Sequence, residues 1–321
     1  MPNFEKKPLL AVVGPTASGK TSLGAELAKA FNGEVVSADS MQIYKGMDIG
    51  TAKPKPEEML GIPHHLIGFL PQGEHFSVAD YAVLARKAID DILSRGKLPV
   101  LVGGTGLYVE AIVKNIQYDE EASSDPAYRE FLREKAKTEG NIAVWNLLEQ
   151  QDPGTAKLLH PNNLGREIRA LEVLKITGKS IREQVAASQA EPCPYDVLQL
   201  GLRFRDRARL YERINRRVDA MMEEGLLEEA REVYEEGLAG TSGQAIGYKE
   251  LLPYFEGRVS LEEAVESLKQ ETRRLAKRQL TWFNRDSDIH WIEPDLLEAG
   301  ESVFGAVCAV IKTEWRNELE K

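Results

Sequence analysis

The strongest chemical signal in the sequence is a glycine-rich loop that could bind phosphate. Residues 14–21 read GPTASGKT and fit G-x-x-x-x-G-K-[ST], between a strand-like run, Leu9–Val13, and a helical pattern, Lys20–Phe31. Backbone N–H groups of such a loop surround a phosphate, and the helix N-terminus adds partial positive charge. Lys20 supplies a full charge, and the Thr21 hydroxyl can reach Mg²⁺. The predicted phosphate-binding residues are Gly14, Pro15, Thr16, Ala17, Ser18, Gly19, Lys20 and Thr21, with Thr21 as metal ligand.

The loop alone does not identify the ligand, because most P-loop proteins bind nucleoside triphosphates. Those proteins usually hold Mg²⁺ with the help of an acid that ends a second apolar strand. Here the strand-like run Leu98–Val102 ends in Gly-Gly-Thr-Gly at 103–106, without an acid. This weakens the ATPase and GTPase interpretations. Two alternatives stay open: a small-molecule or nucleoside kinase, and an RNA-binding protein that uses a nucleotide as a switch.

An aspartate follows the second predicted strand, Glu34–Ala38. In a parallel sheet the carboxyl ends of the strands open onto one crevice, so Asp39 should face the phosphate loop. A carboxylate there can act as a base toward an attacking nucleophile. The alternative is that Asp39 caps a short helical turn, and both roles can coexist. Gln42 could form two hydrogen bonds with an adenine edge.

The charge of the chain is unevenly distributed. The net charge of −10 over 321 residues argues, taken alone, against nucleic-acid binding. However, residues 203–217 contain seven arginines, and residues 273–285 contain five basic residues without an acid. Arg213 and Arg217 are four residues apart and should share a helix face. Because of the two basic runs, binding of an anionic partner stays one interpretation. The alternative is that these helix faces are only solvated, as charged helix faces often are.

Several functional classes are not supported by the composition. The sequence has no apolar run long enough to span a bilayer and no apolar leader. Its two cysteines, Cys193 and Cys308, and five scattered histidines form no disulfide framework or Cys/His metal cluster. We therefore expect a cytoplasmic enzyme.

The elements that must position these residues alternate as in a parallel α/β protein. Apolar runs predict strands, and periodic patterns predict helices between them. The predicted strands are Leu9–Val13, Glu34–Ala38, Leu98–Val102, Val197–Phe204 and a weaker Ile289–Ile292; the helices between the first strands are Lys20–Phe31, Ser77–Arg95 and Leu107–Lys114. We expect an α/β fold with a P-loop NTPase-like parallel sheet flanked by helices.

The strand pattern stops in the middle of the chain and then resumes. This predicts an all-helical insertion domain, 119–194, within a core formed by 1–118 and 195–321. Its predicted helices are Asp125–Thr138, Ile142–Gln150 and Pro161–Thr177; those of the helical C-terminal part are Arg207–Glu224, Leu261–Asn284 and Leu296–Leu319. In the long C-terminal helix, Leu268, Leu275 and Trp282 recur every seven residues and are predicted to be core.

Longer strings then identify a family. They are SADSMQIYKGMDIGTAKP (37–54), IPHHLI (62–67), GGTGLY (103–108), HPNN with REIRALEV (160–173), QAIGYKE (244–250) and KRQLTWFNR (277–285). With the phosphate loop, they closely resemble bacterial tRNA dimethylallyltransferases, also called tRNA isopentenyltransferases, over almost the whole chain. The resemblance implies that dimethylallyl diphosphate binds in the loop with Mg²⁺. The prenyl group would pass to N6 of the adenosine immediately 3′ of the anticodon, and pyrophosphate would leave.

The resemblance and the required chemistry also imply residue roles. Lys20 and Arg217 are expected to stabilise the leaving pyrophosphate, Asp39 to act as base, and Thr105 to lie against the substrate base or Asp39. The target base must be flipped out of the anticodon stem-loop of the tRNA. The expected tRNA contacts are Asp39, Ser40, Met41, Gln42, Thr105, Gly165, Arg166, Glu167, Ile168 and Arg169, with phosphate contacts from 273–285. A monomer is the default expectation.

Overall fold

The computed structural model describes residues 6–117, 124–188, 192–237 and 242–315, which belong to two compact units. The first unit combines Met1–Val113 with Pro194–Lys321, and the second is Lys114–Cys193. Within the described ranges, no helix is long and apolar enough to cross a membrane.

The first unit is built around a six-stranded parallel sheet. Its strands are β1 (Lys7–Val13), β2 (Gly33–Ser37), β3 (His64–His65), β4 (Leu98–Gly103), β5 (Tyr195–Leu202) and β6 (Ile289–Ile292), in the order β3-β2-β4-β1-β5-β6. β1 is almost entirely buried, as expected for a strand covered on both faces of a parallel sheet. The predicted parallel α/β sheet is confirmed.

Helices cover this sheet, and they are the regular elements in the described part of the second unit. They are α1 (Lys20–Ala30), α2 (Val78–Ser94), α3 (Gly106–Val113), α4 (Pro126–Glu139), α5 (Asn141–Gln151), α6 (Pro153–Ala156), α7 (Leu164–Thr177), α8 (Ile181–Ser188), α9 (Arg207–Glu223), α10 (Leu226–Glu235), α11 (Leu252–Phe255), α12 (Leu261–Phe283) and α13 (Val303–Glu314). Helices α4 to α8 lie in the second unit. α2 and α12 both begin with a capping box, formed by Ser77 with Asp80 and by Ser260 with Glu263.

Two of the hydrophobic clusters in the first unit pack its helices around the sheet and around the segment after β2. One joins the sheet to α1 and α13, with Leu10, Leu27 and Val307 among its buried members. The other packs the segment after β2, represented by Ile43 and Met47, against α9, α10 and α12. The second cluster is relevant to function because it fixes an irregular segment beside the carboxyl ends of the strands.

The second unit has its own small core and a buried ion-pair cluster. Leu132, Val144, Leu148 and Leu171 are fully buried between α4, α5 and α7. In α7, Glu172 is also fully buried, and its carboxylate accepts hydrogen bonds from side chains of α4 and α7 and from the backbone before α4. Burial of this charge is tolerable because it is paired and hydrogen-bonded.

The structure differs from the predicted elements at several ends. β3 was not predicted, because two residues are too short to show periodicity. The helix predicted over Leu296–Leu319 begins only at Val303, because Gly300 has a φ of 97° and Ser302 then caps the helix through the Gly305 N–H. It ends at Glu314, and the predicted part beyond residue 315 lies outside the described residues. β5 ends two residues earlier than predicted, at Leu202.

Candidate active site

The phosphate loop lies between a central strand and the helix that follows it. β1 pairs with β4 on one side and β5 on the other, and it ends at Val13. Gly14 has a φ of 151°, and a Cβ atom there would be only 2.6 Å from the carbonyl oxygen of Leu202. The next glycine of the motif, Gly19, precedes α1 without any side-chain cap. The first N–H groups of α1 are therefore left for an anionic ligand.

Lys20 is placed to bind that anion. Its Nζ donates a 3.3 Å hydrogen bond to the Pro15 carbonyl oxygen and lines a cavity beside the loop. Burial lowers the pKa of Lys20 to about 8; the Asp39 carboxylate opposes this shift, and the Arg217 guanidinium adds to it. A bound diphosphate would favour the charged form of this amine.

Two arginines of the basic run reach the phosphate loop. Arg213 donates from Nε to the Ala17 carbonyl oxygen at 2.9 Å, and Arg217 donates from Nη1 to the Thr16 hydroxyl at 3.4 Å. Both lie on one face of α9, as the spacing predicted. Burial lowers the pKa of Arg217, although Asp39 opposes the shift. Arg217, the predicted catalytic cation, and Arg213 therefore both contact the phosphate loop.

Asp39 uses one of its two carboxylate oxygens in hydrogen bonds within the protein. Its Oδ1 accepts the backbone N–H groups of Met41, at 2.9 Å, and Gln42, at 3.3 Å. The predicted capping arrangement is therefore present. Oδ2 has no hydrogen-bond partner within the described parts of the chain, and the partly exposed side chain lines the same cavity as Lys20 and Arg217. The two roles predicted for this aspartate are geometrically compatible.

Thr105 is tied to Ser40 rather than to Asp39. Its Oγ1 accepts the Ser40 N–H at 3.0 Å and donates to the Ser40 Oγ at 3.3 Å. Its own N–H donates to the Ala38 carbonyl oxygen at 3.1 Å. Thr105 thus joins the turn after β4 to the turn after β2 and lines the cavity at that junction.

Gln42 is buried and uses its amide within the protein. Its Nε2 donates to the carbonyl oxygens of Ala52, at 3.0 Å, and Thr51, at 3.3 Å. Only 9% of the residue is exposed. Because both amide hydrogens are committed, this arrangement favours a structural role over the predicted contact with an adenine edge.

Two large cavities border the phosphate loop. One, of about 390 Å³, lies among the loop, residues 39–42, the turn after β4 and helices α9 and α12. The other, of about 740 Å³, has Lys53, Lys55 and Arg216 in its lining. Lys20, Thr21 and Arg217 line both. Such a position suits a diphosphate whose organic group extends to one side of the loop.

The three apolar side chains that recur every seven residues along α12 are only partly in the core. Leu268 is 2% exposed and belongs to the second hydrophobic cluster, as predicted. Leu275 and Trp282 are partly exposed and line the smaller cavity, so their assignment to the core was wrong. They lie one and two heptads further along α12, where the helix passes the phosphate loop instead of packing on α10. These side chains give the cavity an apolar wall.

Sequence reasoning missed a glutamine that connects the two glycine-rich turns. Gln279 accepts the Thr16 N–H on Oε1 at 2.8 Å and donates from Nε2 to the Gly104 carbonyl oxygen at 3.0 Å. Its place in the string KRQLTWFNR was the available signal. A lone glutamine on a basic helix has no chemistry that would single it out.

The predicted tRNA contacts in the second unit differ in accessibility. Gly165 and Arg166 are exposed, and Arg169 is partly exposed while donating to Glu172 Oε2 at 2.6 Å. Glu167 and Ile168 are buried, so their side chains cannot touch an RNA in this arrangement. Burial raises the pKa of Glu167 to about 7. For these two residues the tRNA contact stays a prediction, and only their backbone groups could make it.

A second basic cavity lies apart from the phosphate loop. It measures about 310 Å³ and is lined by Arg203, Arg205, Arg207 and Lys277 with one acid, Glu293. Glu293 pairs with Arg203 at 2.9 Å and with Arg205 at 3.8 Å. The side chains of Arg207 and Lys277 have no hydrogen-bond or ion-pair partner among the residues described. The lining therefore keeps positive charge available for phosphate groups.

The residues at the loop fit a magnesium ion that is bound together with a diphosphate. No group of three or more His, Cys, Asp or Glu side chains able to hold a metal is found in the described ranges. Mg²⁺ commonly binds through one or two protein oxygens, substrate phosphates and water. Thr21, at the start of α1, lines the cavity beside the loop and can supply a protein oxygen of this kind.

Comparisons with known proteins agree with one another. The IPP transferase family matches residues 42–286, and the isopentenyl transferase family matches residues 7–68. The tRNA dimethylallyltransferase of Shouchella clausii is 50% identical over 306 residues, or 95% of this chain and 97% of the relative. That of Bacillus subtilis is 49% identical over 292 residues, or 91% and 92%.

Solved structures give the same result. The full-length tRNA isopentenylpyrophosphate transferase of Bacillus halodurans superposes with a TM-score of 0.71 at 44% identity, covering 98% of both chains. A eukaryotic dimethylallyltransferase described as acting on tRNA superposes with a TM-score of 0.80 at 30% identity, covering 97% of this chain and 79% of that one.

Proposed function

The chain belongs to the tRNA dimethylallyltransferase family, and we propose that it transfers a dimethylallyl group from dimethylallyl diphosphate to tRNA. The acceptor is N6 of the adenosine immediately 3′ of the anticodon, and pyrophosphate is released. The observation that carries this proposal is the presence of a partly free carboxylate, Asp39, in the same cavity as two cations, Lys20 of the phosphate loop and Arg217 of α9. The proposed base, Asp39, and the proposed binding site of the leaving pyrophosphate, Lys20 with Arg217, therefore line one cavity.

Departure of pyrophosphate requires stabilisation of the charge that develops on it. The open N–H groups of α1, the amine of Lys20 and the guanidinium of Arg217 converge on the loop for this purpose. Mg²⁺, held by the Thr21 hydroxyl and diphosphate oxygens, would add charge neutralisation at the same place. These interactions strengthen as negative charge moves from the prenyl carbon onto the diphosphate, so they favour the transition state.

The acceptor nitrogen also needs help, because the lone pair of an aromatic amine is delocalised into its ring. As N6 forms its bond to the prenyl carbon, the bond from that carbon to the diphosphate oxygen breaks, and its electron pair leaves with pyrophosphate. The N6 proton passes to Oδ2 of Asp39. The hydrogen bonds from Met41 and Gln42 to Oδ1 hold the carboxylate in place while it accepts the proton.

Recognition of the tRNA would combine a flipped base with phosphate contacts. The target adenosine must leave its stack to reach the cavity near Thr105, Ser40 and Met41. The basic cavity around Arg207 and Lys277 suits the phosphates of the anticodon stem-loop. Exposed Gly165 and Arg166 are further proposed contacts. A monomeric state and a cytoplasmic location stay predictions.

The test is transfer of label to RNA. The protein would be incubated with Mg²⁺, labelled dimethylallyl diphosphate and an anticodon stem-loop that carries adenosine 3′ of the anticodon; a matched stem-loop carries guanosine there. We expect label only in the adenosine RNA. Absence of label in both RNAs, together with ATP binding and phosphoryl transfer to a small acceptor, would contradict the proposal and favour the kinase alternative.

A further inference from the structure

An irregular segment, Asp48–Ala52, forms part of the wall of both cavities beside the phosphate loop. It belongs to no helix or strand, so no regular backbone ladder holds it. Its geometry must come from other hydrogen bonds, because backbone groups without partners are costly wherever they are shielded from water. Two of these bonds close the turn itself, because the Ala52 N–H donates to the Ile49 carbonyl oxygen and the Lys53 N–H to the Asp48 carbonyl oxygen, both at 2.9 Å. Three further backbone N–H groups of the segment are bound by a residue for which the proposed chemistry has no use.

That residue is Glu229, in the first turn of α10. Its Oε2 accepts the N–H groups of Asp48 and Ile49, both at 2.9 Å. Its Oε1 accepts the Gly50 N–H at 2.9 Å and the Tyr248 hydroxyl at 2.7 Å. One carboxylate therefore binds three consecutive backbone amides and a buried phenol, and hydrogen bonds to a charged acceptor are stronger than neutral ones.

Close packing restricts the same segment from the other side. A Cβ atom on Gly50 would lie 2.6 Å from Cζ of Tyr248, so the glycine lets the backbone rest directly on the phenol ring. Tyr248 is 1% exposed. Burial and the neighbouring Glu229 raise its pKa, so the phenol remains a neutral donor throughout the physiological range.

The clamped segment is joined to the predicted base. The side chain of Gln42 donates to the carbonyl oxygens of Thr51 and Ala52, and its backbone N–H donates to Oδ1 of Asp39. Hydrogen bonds thus run from Glu229 through the segment and Gln42 to Asp39. The separation in sequence is large, since Glu229 lies 179 residues after Gly50.

We propose that Glu229 is a positioning residue for the prenyl transfer: by clamping Asp48–Ala52, it fixes the cavity wall and, through Gln42, the orientation of Asp39. This inference rests on the proposed function. It assigns no contact with substrate to Glu229 itself. Small displacements of a reacting group can lower a rate strongly, up to about 100-fold for 1 Å.

Replacement of Glu229 by Gln is the informative change because it preserves shape. The glutamine has one acceptor oxygen instead of two, and its NH₂ group would face an N–H or O–H that also donates. Glu228→Gln is the matched control: this carboxylate lies in the same first turn of α10, is exposed, and makes no hydrogen bond or ion pair within the described residues. The control carries the same loss of charge near the helix N-terminus.

The experiment measures kcat and the KM values for dimethylallyl diphosphate and the adenosine stem-loop, together with thermal unfolding, on the full chain. At a temperature where all variants are folded, we expect Glu229→Gln to lower kcat about 10-fold or more, with Glu228→Gln close to wild type. Tyr248→Phe removes one of the four hydrogen bonds and should give a smaller loss in kcat. A folded Glu229→Gln variant with wild-type kcat, or an equal loss in Glu228→Gln, would overturn the inference.

A double-mutant cycle tests the route through Gln42. If Gln42→Met and Glu229→Gln act on Asp39 through the same connection, the double variant should lose less activity than the product of the two single losses. Losses that multiply would overturn this route. A wild-type protein without transfer activity would overturn the proposed function and the inference with it, whereas active wild type with unaffected variants overturns the inference alone.

Discussion

The side-chain oxygen of Gln279 accepts the backbone N–H of Thr16 over 2.8 Å, and this hydrogen bond joins α12 to the phosphate loop across 263 residues of sequence. The other end of the same amide donates to the Gly104 carbonyl oxygen at 3.0 Å. One side chain therefore holds the loop after β1 and the turn after β4 at a constant separation. The cavity that contains Asp39 and Thr105 opens between those two turns.

Replacement of Gln279 by Met should weaken donor binding. Both hydrogen bonds are lost, and the Thr16 N–H remains without its partner, which costs about 1–3 kcal/mol when such a group is buried. We expect KM for dimethylallyl diphosphate to rise about 10-fold. Gln270→Met is the control, since this glutamine is exposed on the same helix. Equal KM values for the two variants would contradict the prediction.

Asp39→Asn separates the capping role from the proposed base. An asparagine oxygen can still accept the Met41 and Gln42 N–H groups, but the amide cannot take the N6 proton. Transfer should fall about 100-fold or more, while diphosphate binding, measured by titration calorimetry, largely survives. Asp152→Asn, which changes the cap of α6 through the Thr155 N–H, should leave transfer unchanged. Full transfer activity in Asp39→Asn would rule out the base assignment.

Donor binding should depend on pH through Lys20. Burial lowers the pKa of its amine to about 8. Below that pH the amine is charged and attracts the diphosphate; above it the charge is lost, and the affinity should fall. Dissociation constants measured from pH 6.5 to 9.5 should therefore rise through a transition near 8. In Lys20→Arg the guanidinium stays charged throughout this range, so the transition should disappear. A transition that persists in this variant must belong to another group.

A buried carboxylate near the amino end of β2 should control stability rather than activity. Glu34, near the start of β2, is 2% exposed and accepts hydrogen bonds from Arg95, Lys97 and His65, each at 2.7 Å. The bonds from Arg95 are the main cause that holds the pKa of Glu34 well below its usual range, against the opposing effect of burial. Because the folded-state pKa is depressed, its contribution is present above the ordinary carboxyl pKa of about 4.3 and is lost as the pH falls below it.

Glu34→Gln should accordingly lower the free energy of unfolding at pH 7 by about 2 kcal/mol and flatten its decrease below pH 4.5. Urea unfolding at several pH values measures both effects. Asp91→Asn is the control, because this exposed partner of Arg95 should change the free energy by less than about 1 kcal/mol. The kcat of the folded Glu34→Gln variant should match wild type, since the cluster lies at the strand ends away from the phosphate loop.

The sequence by itself determined the parts of the site that depend on neighbouring residues. The phosphate loop follows from eight consecutive residues, because their backbone must follow one path between β1 and α1. Asp39 could be placed at the loop because all strands of a parallel sheet end on the same side. The helical spacing also put Arg217 and Arg213 on one face of α9 before either was seen to contact Ala17 or Thr16.

Only the tertiary structure decided which side chains hold this site together. Gln279, Glu229 and Gln42 are chemically ordinary residues whose partners lie up to 263 positions away or on irregular backbone. In the tertiary structure, Trp282 lines the cavity although it was predicted to be core. Glu167, a predicted tRNA contact, is buried in the second unit. The physical reason is that periodicity encodes which face of an element is apolar, whereas a hydrogen bond between distant segments depends on where packing brings their backbones.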